Sequence, residues 1–160
     1  MRETGDEEIA LGFETTRGGT RGGRSPRGAL LNWANKMTIK RIRKKSSSDL
    51  LVLTTVGRKS GAVRETPVRW FPGGDGTWLI VASANGATKN PAWYYNLAAT
   101  PEVTVDVQGR QVDVTATQLT GDERAAAWRQ ITTASSQFAG YQQKTDRELP
   151  ILRLTPRSAG

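Results

Sequence analysis

The spacing of apolar positions along the chain divides it into two regimes. From Gly28 to Lys45, Leu30, Trp33, Ala34 and Met37 recur on one helical face and Arg41 and Lys44 continue the same stripe. That predicts a helix with a face that turns from apolar to basic. Beyond Ser46-Ser47-Ser48 the pattern becomes that of strands: Leu50–Val56, Val63–Phe71, and Thr77–Ser83 after the turn residues Pro72-Gly73-Gly74-Asp75-Gly76. The last two predict a hairpin. Asn90-Pro91 predicts an N-cap with proline at the first helical position, opening a helix over Pro91–Ala99 that Thr100-Pro101 closes. Val103, Val105 and Val107 alternate, Gly109 turns, and Val112, Val114 and Ala116 alternate again, a second hairpin. Thr120-Gly121-Asp122-Glu123 opens a helix through Ala125–Thr133, with acidic residues at the positive end of its dipole. A last strand spans Leu149–Leu154. About six mostly antiparallel strands, with helices inserted after the third and fifth, describe an α+β domain on a small barrel.

The leading segment obeys neither period. Residues 1–28 hold seven glycines and only four of Ile, Leu, Phe and Met. Such a stretch buries too little apolar surface to offset its ordering entropy. The expected organisation is a disordered basic arm over 1–28, a helix over 29–45 and one folded domain over 46–160. Of the net charge of +8, the first 48 residues carry 11 Lys/Arg against 5 Asp/Glu. The basic excess therefore belongs to the leading segment, which argues against a nucleic-acid groove on the domain. A basic helix that touches anionic lipid, or covers the site of a greasy substrate, stands beside a merely packed and solvated one.

Cysteine and histidine are both absent from the 160 residues. Their absence removes thiolate nucleophiles, Cys/His metal sites and every triad that needs imidazole. What remains is hydroxyl, carboxylate and lysine chemistry, or a bound organic cofactor that brings its own reactivity. The longest apolar run is Trp78–Ala82, far short of the ~18 residues of a membrane span. A cytosolic location is expected, with peripheral membrane contact only through the basic segment.

Three stretches can carry chemistry. Thr54–Gly61 places Arg58, Lys59 and Ser60 in a glycine-bounded turn directly after a strand, the ingredients of an anion cradle or of an ordinary hairpin tip. Ala82–Asn96 runs from a strand through small residues and Lys89 into a capped aromatic helix, where helix N–H groups can meet an anion and a flat ring can lie over the loop. Phe138–Pro150 aligns Phe138, Tyr141 and Thr145 on one helical face.

Together, Leu53-Thr54-Thr55-x-Gly57-Arg58-Lys59-Ser60-Gly61, Arg64-x-x-Pro67, Val81-Ala82-Ser83 leading to Lys89-Asn90-Pro91-x-Trp93-Tyr94-x-Asn96-Leu97, and Tyr141-Gln142-x-Lys144-Thr145-x-Arg147-x-x-Pro150 resemble the deazaflavin-dependent nitroreductase and quinone reductase family. The resemblance covers about residues 30–156. It implies an FMN-binding split-barrel-like fold and the coenzyme F-420, an 8-hydroxy-5-deazaflavin with a phosphate and an oligoglutamate tail. By similarity, Arg58, Lys59, Ser60 and Arg64 address the anionic tail. Glu65, Thr66, Pro67, Val68, Arg69, Val81, Ala82, Ser83, Ala84, Ala92, Trp93, Tyr94, Tyr95, Asn96 and Phe138 line the cofactor. Ala84 stands where many relatives have lysine, and Phe138 where some have tyrosine.

The resemblance implies hydride transfer from the reduced coenzyme to a quinone or another electron-poor enone or nitro acceptor. With no imidazole, Tyr141, Ser83 or solvent must supply the proton, and a phenol of pKa about 10 is an adequate donor to an enolate-like oxygen. The competing class is a non-catalytic barrel that binds a cofactor or lipid.

Overall fold

A computed structural model describes residues 19–22, 29–44, 49–87 and 89–157. In chain order the elements are α1 (Ala29–Lys44), β1 (Leu50–Val56), β2 (Val63–Arg69), β3 (Phe71–Gly74), β4 (Thr77–Val81), α2 (Ala92–Ala99), β5 (Glu102–Val107), β6 (Arg110–Gln118), α3 (Gly121–Ala134), α4 (Ser136–Lys144) and β7 (Ile151–Pro156). A short 3-10 turn over Ala84–Gly86 follows β4.

The seven strands form one sheet in the order β2-β1-β5-β6-β7-β4-β3, and every described pairing is antiparallel. Only Trp70 separates β2 from β3, although these are the two edge strands. The chain therefore crosses the mouth of the curled sheet in one step, which makes it a half-barrel. Alternation then sorts each strand's side chains. Leu51, Leu53, Ile80, Val105, Val114, Leu152 and Leu154 enclose the barrel core, and α2 plugs its open side with Tyr94, Leu97 and Ala98. Leu79, Val81 and Ile151 point outward and are covered by Ile131 of α3 and Phe138 of α4.

Two expectations are corrected. The span Val63–Phe71 is not one strand: Val63–Arg69 pairs with β1, whereas the partner of β4 is Phe71–Gly74, giving seven strands rather than six. Pro72 is tolerated because β3 is an edge strand with a bulge, where a missing N–H breaks no ladder. Helix α1 lies within the expected bounds but packs through Ile39 and Ile42 onto Val52, while Ala34, Met37, Arg41 and Lys44 face solvent. The described members of the expected stripe are thus not the buried ones. Long-range contact with β1 selected a neighbouring face, and Arg43 reinforces it by bridging Glu65 at 2.5 Å and Asp106 at 3.0 Å. The hydrogen bond to Glu65 leads in raising the Arg43 pKa above the ordinary arginine value.

Most of the expected arm lies outside the described residues. Of the described part, the Thr20 hydroxyl donates to Asp146, whose Oδ1 also accepts the backbone N–H of Thr20 at 2.7 Å and of Arg21 at 3.0 Å. The close approach requires glycine at position 19, since a Cβ there would stand 2.4 Å from Asp146 Oδ1.

Candidate functional site

Strand β1 ends in a turn that returns as β2. Gly57 N–H donates to Ala62 O at 2.7 Å and Gly61 N–H to Gly57 O at 2.8 Å, so the turn is closed by its own backbone. Arg58, Lys59 and Ser60 project from it into solvent. Helix α2 fixes the turn from below: buried Asn96 accepts the Arg58 N–H at 3.1 Å and donates to the buried Thr55 hydroxyl at 3.2 Å. The Arg58 guanidinium stacks over the Tyr95 ring, 5.4 Å from its centroid. Among the described residues Arg58, Lys59 and Arg64 form no ion pair. A cluster of cations without carboxylates is a field kept available for an anion.

Strand β2 supplies the adjoining wall, but only with alternate residues. Arg64, Thr66 and Val68 pair with Thr55, Leu53 and Leu51 and share their barrel-side face. Glu65, Pro67 and Arg69 share the face of Val52, toward α1. Glu65 is engaged by Arg43, and Arg69 pairs with Asp49 at 3.6 Å and lies over the Phe71 ring. Within the run 64–69, alternation therefore places Arg64, Thr66 and Val68 on the barrel side and Glu65, Pro67 and Arg69 on the side of α1, because successive side chains of a strand point to opposite faces.

Across the barrel mouth, β4 ends at Val81, and Ala82, Ser83 and Ala84 lead into the 3-10 turn. Buried Arg147 holds this loop. Its Nη1 donates to Ala82 O at 3.0 Å and Asn90 Oδ1 at 2.5 Å, its Nη2 to Ser83 O at 2.8 Å, and its Nε to Ala87 O at 3.1 Å. Burial pushes the guanidinium's pKa down from the ordinary arginine value. Asn90, expected as a helix cap, instead bridges Arg147 to the Tyr95 hydroxyl at 3.1 Å, while Pro91 occupies the cap position. Lys89 is exposed beside it, and Ala92 and Trp93 begin α2.

Helix α4 closes the third side. Gly86 sits at φ 78°, and a Cβ there would lie 2.7 Å from Tyr141 O, so the loop touches the helix backbone. Half-buried Tyr141 packs edge-on to Phe138, with Lys144 Nζ 5.8 Å from its ring centre. Its hydroxyl has no partner among the described residues.

Contacts bring the candidates together in two groups: Arg58 with Tyr95 and Asn96 at the cation turn, and the loop after β4 with α4 at Tyr141. Asn90 joins them through its bonds with Tyr95 and Arg147. Two other candidates belong to the core. Tyr94 is fully buried with its hydroxyl donating to Gln118 Oε1 at 2.7 Å, and Phe138 packs edge-on to Phe71. Both side chains pack in the core, because α2 and α4 each turn one aromatic face inward. Sequence reasoning missed the roles of Asn90 and Arg147. The local signal for Arg147 is misleading, since Lys144–Glu148 reads as a solvated polar run.

Comparison with known proteins adds a second line. A family model described as F-420H(2)-dependent quinone reductase matches residues 32–156. An F-420H(2)-dependent quinone reductase of Mycobacterium tuberculosis is 34% identical over 110 residues, covering 67% of this chain and 73% of that protein. A solved F-420H2-dependent reductase is 36% identical with a TM-score of 0.60, covering 66% of this chain and 93% of that one. A heme storage protein of Vibrio cholerae, 17% identical with a TM-score of 0.52 over 78% of this chain and 92% of its own, shares the fold alone. With the half-barrel, the unpaired cations and the motif order in agreement, the chain belongs to the F-420H(2)-dependent quinone reductase family.

Proposed function

We propose that this protein is a deazaflavin-dependent oxidoreductase that passes a hydride from reduced coenzyme F-420 to a quinone-like acceptor. The observation that carries the reading is the cation cluster of Arg58 and Lys59 on the turn and Arg64 on β2, without ion pairs among the described residues and anchored to α2 through Asn96. The donor set fits the coenzyme: guanidinium and ammonium groups suit a phosphate with a glutamyl tail, since charge-assisted bonds are the strong ones. The small side chains of half-buried Ser83 and Ala84 leave room for a flat ring against the loop. When bound, the coenzyme supplies the hydride chemistry itself.

The chain's own residues do the rest. Arg58, Lys59, Ser60 and Arg64 bind the tail, and Asn96 holds their turn in place. Half-buried Trp93 and Tyr95 flank the inward face of α2, Tyr95 under the Arg58 guanidinium, and α4 brings the Tyr141 backbone to the loop. Its hydroxyl, unpartnered within the described structure, is the group we assign to protonate the reduced acceptor, with Ser83 as the second hydroxyl in reach of the same loop. Orientation and exclusion of water are the protein's remaining contribution.

The test is a stopped-flow mixture of protein, reduced coenzyme and menadione, followed through the absorbance of the oxidised coenzyme. Turnover with menadione, and slower turnover with an activated enone or a nitroaromatic, supports the proposal. Coenzyme binding without oxidation by any acceptor would assign the chain to the non-catalytic class.

A further inference from the structure

Arg147 is 2% exposed, yet among the described residues no carboxylate pairs with its guanidinium and every partner is a neutral oxygen. A buried cation is costly unless its donors are all used. Here three of its bonds go to main-chain carbonyls of a single loop, at Ala82, Ser83 and Ala87. Space-filling would have been served by an apolar side chain. What a guanidinium does, and an apolar group cannot, is draw several carbonyls toward one centre.

That has a consequence on the other side of each peptide. In a trans peptide the N–H of the next residue points opposite to the carbonyl, and no cis peptide occurs among the described residues. With the carbonyls of Ala82 and Ser83 turned to Arg147, the N–H groups of Ser83 and Ala84 point away from it. Neither has an acceptor among the described residues, whereas Ala82, Gly86 and Ala87 N–H are all bonded internally. The conformation is also strained, with Ala84 at φ 45°, a left-handed value that a side chain adopts only where its surroundings impose it. Arg147 is itself anchored: its N–H donates to Thr145 Oγ1 at 3.1 Å and its carbonyl accepts Gln142 Nε2 at 2.7 Å.

We infer that Arg147, with Asn90, is the positioning residue of the ring subsite: it holds the Ala82–Ala87 loop so that the Ser83 and Ala84 N–H groups stand free as a donor pair for the acceptor-rich edge of the deazaflavin. The inference rests on the coenzyme reading above and names a role for residues that touch no ligand. The tail turn is tied to Asn96 and not to Arg147. The two halves of the site are therefore separable by experiment.

The experiment compares wild type, Arg147→Lys and Asn90→Ala in fluorescence titrations with the complete coenzyme and with its tail-less 8-hydroxy-5-deazaflavin riboside analogue, over a range of salt. Lysine keeps the charge but cannot fork to three carbonyls. Folding is verified by near-ultraviolet circular dichroism. The expected result is an affinity for the tail-less ring about tenfold weaker in Arg147→Lys, in line with the loss of one or two hydrogen bonds, and a smaller loss in Asn90→Ala. The salt dependence of coenzyme binding, which reports the tail charges, should be unchanged. Wild-type affinity for the tail-less ring in a folded variant would overturn the inference, as would a flattened salt dependence, which marks general loosening. If Arg147→Lys does not fold, Asn90→Ala decides by the same criteria. Wild type that binds neither ligand overturns the coenzyme reading and this inference together; a binding wild type beside an unaffected variant overturns this inference alone.

Discussion

Replacing Asn96 by alanine tests the tie between α2 and the cation turn. The side chain makes two bonds, accepting from Arg58 N–H at 3.1 Å and donating to Thr55 Oγ1 at 3.2 Å. Their losses are unequal. Thr55 is 2% exposed, so its hydroxyl is left without a buried partner, costing about 1–3 kcal/mol. Arg58 sits on an exposed turn where water can replace the acceptor, and that bond contributes only about 0.5–1 kcal/mol. Together they give roughly 1.5–4 kcal/mol, and at about 2–4 °C per kcal/mol for a chain of this size the Tm should fall by about 3–16 °C. Urea titration gives the free energy directly and calorimetry gives the Tm. A double-mutant cycle isolates the cause: with Thr55→Val in place no hydroxyl remains to be stranded, so Asn96→Ala should then cost about 1 kcal/mol less. Coenzyme affinity should fall in the single variant because the turn that carries Arg58 has lost its anchor. A Tm within about 1 °C of wild type, or strict additivity in the cycle, would refute this account of the tie.

Tyr141→Phe keeps the ring against Phe138 and removes one proton; if that proton is delivered in the transition state, kcat should drop by about 10²-fold with KM little changed, and a silent substitution would leave Ser83 or water as the donor. Replacing Arg58 and Lys59 together by alanine should weaken coenzyme binding and flatten its salt dependence; equal affinity in titrations at two ionic strengths would remove the turn from the tail site. The Thr20 hydroxyl and the Arg21 and Thr20 amides lower Asp146 from the ordinary 3.8 to about 2, so the contribution of this contact is complete above pH ~4 and fades as pH falls through about 2. Amide resonances of Thr20 and Arg21 should follow that titration, and a midpoint near 3.8 would show that the arm does not dock on Asp146. Ala84→Gly should relieve the left-handed strain at φ 45° and raise stability by roughly 0.5–1 kcal/mol in urea, and a destabilised variant would contradict it.

Local physics sufficed where an element's identity depends on its neighbours in sequence. Alternating valines at 103, 105 and 107 and at 112 and 114 marked β5 and β6 because a half-buried strand has a period of two residues. The glycines at 57 and 61 marked the cation turn, and the missing histidine and cysteine directed the chemistry to a bound cofactor. Motif order also placed Arg58, Lys59, Asn96 and Tyr141 as candidates before any contact between them was visible. What the period could not decide was which face met which neighbour. Strand β2 offered both Arg64 and Glu65, and only pairing with β1 turned the first toward the barrel and the second toward Arg43. Helix α1 read as one stripe through Ala34 and Met37, whereas packing on Val52 buried Ile39 and Ile42. The position of Arg147 was the least legible: its acceptors lie 57 to 65 residues upstream, and inside a polar run nothing distinguishes a solvated arginine from a buried one. Burial is set by the closure of the whole barrel, and a buried guanidinium takes its acceptors from whichever segments that closure brings to it.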